Sequence, residues 1–156
     1  MAKIVIQSTE MPNSGRPEVM IRWFCVEFGL GGKEENDISA QILKEFAMAA
    51  QQNKGLTSSE LSTALNKVIV EGKPIARSTV IYHLNRFIEA GLVIKRGRYY
   101  HLRATEMAKA VEEIQYDIER EMSKMLNTAR EFDKLMSGMF GMQQEPPQDE
   151  NNMREQ

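Results

Sequence analysis

The apolar positions of this chain become periodic at Asp37. Ile42, Phe46 and Ala49 or Ala50 recur at three- to four-residue spacing, opened by Asp37 or Ser39 as a cap and stopped by "QQNKG", with Gly55 as terminator. This is a first helix. "LTSSEL" is a helix-start signature: Thr57 can accept from the amide of residue 60, Glu60 can reach back to Thr57, and Leu56 can staple onto Leu61. A second helix therefore opens near Ser58, with Leu61 and Leu65 turned inward. A third runs from about Arg77 to Ala90, with Val80, Leu84, Phe87 and Ile88 inward, and ends at Gly91, where a left-handed residue is wanted. "LVIK" and "RYYHL" then form a hairpin around Arg96-Gly97, with Gly97 at the positive-φ position.

Before Asp37 the pattern is less directive. "KIVIQS", bounded by "MPNSGRP", reads as a short strand. "EVMIRWFCVEFGL" fits a strand or a buried helix by period, and its β-branched and aromatic content favours a second strand. Residues 1–36 are thus read as N-terminal strands and a loop, and residues 37–103 as the main domain.

Residues 104–140 form an arm. Val111, Ile118, Met125, Phe132 and Met139 fall at an unbroken seven-residue interval, the mark of a coiled-coil seam. The companion series Met107, Ile114, Met122, Ala129 and Met136 contains one eight-residue step, at which a change of supercoil is expected. A helix of some 54 Å, at about 1.5 Å per residue, with one apolar stripe exceeds what so small a domain can cover. A second copy is the economical partner; the other arrangement folds the arm back over the first helix and the N-terminal strands. Residues 141–156, polar and proline-interrupted, are expected to be disordered.

Charge changes this picture. The net value of −2 divides into 7 basic and 9 acidic groups over residues 1–72, 7 and 1 over residues 73–103, and 6 and 12 over residues 104–156. The middle segment therefore carries +6, a local basic surface of the kind a phosphate backbone would meet. The single cysteine, Cys25, has no companion for a disulfide or a cysteine-built metal site and reads as a small buried hydrophobe. No apolar run nears the roughly 18–20 residues that span a bilayer, and the start has no signal-peptide pattern, so a cytoplasmic protein with no membrane partner is expected.

Three helices followed by a basic hairpin are the parts of a winged helix, and "STVIYHLNRFIEAGLVIKRGRYYHL" resembles the recognition helix and wing of ArsR-like winged-helix transcription regulators over roughly residues 38–103. The resemblance implies a mainly α protein with a small β component (α+β), a winged helix-turn-helix domain followed by a long dimerisation helix. It also implies a homodimer on double-stranded DNA, the third helix of each subunit in a major groove and the wing on the backbone. Ser78, Thr79, Tyr82 and Asn85 can then reach base edges and Ile81 a thymine methyl, while Arg77, Arg86, Lys95, Arg96 and Arg98 hold phosphates. His83 reads as a packed, hydrogen-bonded core histidine. A protein-docking module and a sequence-independent architectural DNA protein are the alternatives.

Two departures stand out. The link from Asn66 to Ala76 exceeds the usual three- to four-residue turn, so either the second helix extends through "NKVIV" or a loop is inserted; and Ala76 stands where a hydroxyl cap belongs. No phosphate loop, nucleophile elbow or H-E-x-x-H occurs, and the arm carries no histidine. Neither a catalytic site nor a metal or cofactor is expected; an effector, if used, is not identifiable.

Overall fold

The computed structural model describes residues 15–31, 37–68 and 74–143. The strand expected at "KIVIQS", part of the long link, and the tail beyond residue 143 lie outside them. The described chain is mainly helical with one small antiparallel sheet: α1 Pro17–Glu27, α2 Ile38–Gln51, β1 Leu56–Thr57, α3 Ser58–Val68, α4 Arg77–Glu89, β2 Val93–Arg96, β3 Tyr99–Leu102 and α5 Met107–Gln143. It divides into two units, Met1–Ile118 and Glu119–Gln156.

The first unit corrects the N-terminal reading: "EVMIRWFCVEFGL" is helix, not strand. Pro17 sits at the first helical position and Glu18 in the first turn, both favourable there. Ile21, Phe24, Cys25 and Phe28 fall on one face and pack on the core, with Phe24 and Phe28 stacked at 4.5 Å. β-Branched content argued for a strand, but propensity is a weak prior once a 3.6-residue face is buried. Burial pushes the Cys25 thiol up to about 12, with the Asp37 charge adding to it.

α2 is capped by Asp37, whose side chain accepts from the Ser39 amide at 2.8 Å. It ends at Gln51, and Asn53, not Gly55, takes the left-handed conformation at φ 52°. Gly55 serves another purpose: a Cβ there would lie 2.6 Å from the His101 ring, so any larger residue would require that ring to move. Thr57 does two jobs. Its backbone pairs with Tyr99 in a third strand that the capping signature concealed, and its hydroxyl accepts from the Glu60 amide at 3.1 Å to open α3. The sheet order is β1-β3-β2, and Arg96 pairs with Tyr99 across a two-residue turn with Gly97 at φ 61°.

α3 continues to Val68, so the second helix does extend into the long link, and Asn66 Oδ1 accepts from the Ile75 amide at 2.7 Å to pin the link's far end. The core is filled by Ile42, Leu43, Phe46, Leu61, Leu65, Val80, Leu84, Phe87, Leu92 and Val93. Ile88, expected inward, is only partly buried against it. Ala110 and Ile114 from the start of α5 are also buried, with Met107 and Ile118 packed alongside. Arg103 joins that segment to the sheet through Glu113 at 3.0 Å and Asp117 at 2.6 Å.

In the second unit α5 continues as an uninterrupted helix to Gln143, with ion pairs Lys124–Glu121 and Lys134–Glu131 one turn apart. No helix among the described residues is long and apolar enough to cross a membrane.

Candidate nucleic-acid interface

Two polar surfaces meet the criteria set by the sequence: the outer face of α4 and the tip of the β2–β3 hairpin. α4 starts at Ala76, whose extended backbone (φ −64°, ψ 142°) offers no side-chain cap; the Thr79 amide bonds to the Ala76 carbonyl at 3.0 Å. An uncapped helix start keeps amide donors and the positive end of the helix dipole available to an anion. From there Ser78, Tyr82 and Asn85 follow at spacings of four and three, all exposed, Tyr82 at 59%, with Arg77 exposed beside them. Thr79 is half-buried, and Ile81, expected outward, packs partly against the core, which limits its reach.

Arg86 is the main correction. Read as a phosphate contact, it is half-buried and donates through Nη1 to the Leu30 carbonyl at 3.3 Å and through Nη2 to the Gly29 carbonyl. Those two carbonyls belong to the turn that closes α1, where the Leu30 amide bonds back to the Cys25 carbonyl at 2.8 Å with Gly29 at φ 65°. The guanidinium thus holds the turn that follows α1 by two of its carbonyls.

His83 joins the same junction, as a packed and hydrogen-bonded residue. Ser39 Oγ donates its one proton to the Leu30 carbonyl at 2.5 Å, so at its 3.2 Å contact with His83 Nδ1 it must accept, which assigns the proton to Nδ1. Burial lowers the His83 pKa from its usual 6.5; the Arg86 charge lowers it further, and Asp37 opposes both. Through His83 and Arg86, α4 is held to the end of α1 and the start of α2, a junction no local spacing announced.

At the hairpin tip Lys95, Arg96 and Arg98 are all exposed. Lys95 lies over the Tyr100 ring at 5.5 Å. Arg98 lies over Tyr99 at 5.2 Å and donates to its hydroxyl at 3.1 Å, which narrows the side chain's freedom before any partner arrives. Arg96 borders a recess of about 260 Å³ that also carries Lys54, His101 and Arg103. Lys54 was read only as part of a helix stop; the turn after α2 brings it beside the sheet.

Of the seven basic residues in segment 73–103, the described set therefore separates into two kinds. Arg86 and Arg103 serve the fold, while Arg77, Lys95, Arg96 and Arg98 are exposed, with no ion pair among the described residues. Among the described residues no three histidine, cysteine or carboxylate side chains gather as a metal site.

Of the expected dimer seam, Met107, Ile114 and Ile118 face the chain's own core and Val111 is half-buried. Met122, Met125, Phe132, Met136 and Met139 are 48–61% exposed, and Ala129 is exposed with them.

Comparison with protein-family models, curated proteins and solved structures returned no match.

Proposed function

We propose that this chain is a sequence-specific DNA-binding transcription regulator of the winged-helix type, acting as a homodimer. In this reading α4 enters the major groove and the β2–β3 hairpin is the wing. The observation that carries it is the outer face of α4: Ser78, Tyr82 and Asn85 stand exposed in one row next to an uncapped helix start. Short hydrogen-bonding groups at the N-terminal half of a helix are what base-edge readout needs. The element order α2-β1-α3-α4-β2-β3 supports the reading, as do the four exposed cations Arg77, Lys95, Arg96 and Arg98. These would neutralise phosphates and set register without carrying sequence information.

Titration of random and promoter-derived duplexes over a range of salt tests the proposal. Eight phosphate contacts per dimer would give a log–log salt slope of about −7, and Arg96→Ala, which removes two of them, would flatten it by about 2 for every sequence. Asn85→Ala should instead narrow the gap between preferred and random duplexes, by about 1–3 kcal/mol for each base pair it reads. Absence of binding at about 50–100 mM salt, or binding indifferent to Arg96→Ala, would overturn the reading. Equal affinity for all duplexes would leave a sequence-independent architectural role.

A further inference from the structure

The apolar stripe of α5 beyond Ile118 has no cover among the described residues of its own unit. Its eight large side chains, among them Phe132 at 61%, Leu135 at 69% and Phe140 at 60%, are each about half to two-thirds exposed. Together they leave on the order of 800 Å² of surface, the per-partner area of a standard stable interface and more than the few hundred Å² a monomer usually leaves bare.

We propose that this stripe pairs with the same stripe of a second copy running antiparallel, about a two-fold axis midway between Ala129 and Phe132. The inference rests on the homodimer reading above and adds its geometry. Met122, Met125, Ala129, Phe132, Met136 and Met139 alternate in steps of three and four, the spacing of a two-helix seam.

Side-chain size selects the direction. About the proposed axis Ala129 lies opposite the partner's Phe132, Met125 opposite the partner's Met136, and Met122 opposite the partner's Met139. The smallest residue of the seam meets the largest, and flexible methionines meet each other, so every layer has similar volume. A parallel pair would set ring against ring at Phe132 and leave a void at the neighbouring Ala129 layer, and large and small residues alternate across a well-packed interface rather than along it. Antiparallel helices also bring opposite dipole ends together.

The eight-residue step in the companion series now has a physical meaning. Ile114 is 2% exposed and Met122 is 55% exposed, so the step falls where the helix changes from covering its own domain to facing a partner. At about 100° per residue, eight residues advance the companion series by about 80° beyond two full turns, while the Val111–Met139 series keeps its interval of seven.

In this arrangement Ile118 of one copy lies level with residue 143 of the other. The two Ile118 positions then stand about 37 Å apart along the helix pair at about 1.5 Å per residue, close to the roughly 34–36 Å between successive major grooves on one face of B-DNA.

Cysteine cross-linking of the full chain tests this directly, because Cys25 is buried and protonated and contributes no background. Met122→Cys, Met139→Cys and the double variant are each oxidised mildly and run without reductant, with circular dichroism confirming that all three keep their helical content. Antiparallel pairing predicts that only the double variant becomes covalent, doubling the 17.8 kDa chain mass, since like positions lie more than 20 Å apart along the axis and a disulfide needs Cα atoms within about 7 Å. Cross-linking of either single variant would mean a parallel pair and overturn the proposal. So would a double variant that stays uncross-linked, whether light scattering then finds a dimer of another register or a monomer with its arm folded back. The assay contains no DNA, so failure of the DNA-binding reading and failure of this one are separately visible.

Discussion

Arg86 shows how a residue can have the right type and face for one role and be held by another. An arginine on the outer side of a helix reads as a phosphate ligand, but only the fold brings the Gly29 and Leu30 carbonyls, 57 and 56 residues away in sequence, within its reach. Removing it takes one charged donor from each carbonyl and leaves that of Leu30 with Ser39 Oγ. Arg86→Ala is therefore expected to lower stability by about 1.5–3 kcal/mol, the range for hydrogen bonds from a charged donor, read as a shift in the urea midpoint at constant slope. Arg86→Lys should recover little of this, because a single ammonium cannot reproduce the two-pronged geometry. Arg96→Ala, at an exposed tip, should leave the same midpoint within about 0.5 kcal/mol. Thr57's hydroxyl cap, the left-handed Gly91 and Gly97, and the buried Cys25 were all legible in the sequence, since each depends on neighbours within a few positions or on side-chain chemistry alone.

At the scale of elements, the placement of α4 depends on a junction of three helices rather than on α4 itself. Ser39 from α2, the turn closing α1, and His83 and Arg86 from α4 share one set of hydrogen bonds. That junction has a pH signature. The folded state depresses the His83 pKa below 6.5, so the neutral ring is the form the fold prefers, and the unfolded chain takes up the proton first. The stabilisation is fully present above about pH 6.5 and is lost as pH falls through the lowered folded value. Thermal melts between pH 7.5 and 4.5 should show this loss, and His83→Gln, which retains a donor for Ser39, should remove the part confined to that window. The carboxylates contribute their own fall at lower pH, so the comparison with the variant is the measurement that isolates the histidine. α2 and α3 were legible because periodicity and an N-terminal cap agree, α4 from its periodicity and the closing Gly91, and the hairpin from two β-prone runs about Gly97. α1 and β1 were not: the α1 segment is apolar on more than one face, and a two-residue strand has no pattern of its own, existing only because β3 lies beside it.

For the whole molecule, α5 divides its work at Ile118. Truncation after Ile118 keeps Ala110, Ile114 and the Arg103 pairs with Glu113 and Asp117, so the first unit is expected to retain a cooperative thermal transition. The truncated chain should run as a monomer by light scattering and lose affinity for a two-half-site duplex by about a hundredfold or more, as the effective concentration gained by linking two sites disappears. Truncation after residue 106 should instead abolish the transition, because it strips Ile114 from the core. The sequence by itself determined the local elements: where helices start and stop, where the chain turns through glycine, and which segment gathers positive charge. These follow from interactions between residues a few positions apart and from side-chain chemistry that needs no context. Only the tertiary structure decided which basic residues are left exposed, that α1 is a helix, and where the long stripe of α5 stops serving its own core. Burial and pairing of those groups depend on partners tens of residues away, and a one-dimensional pattern holds no distance between such positions.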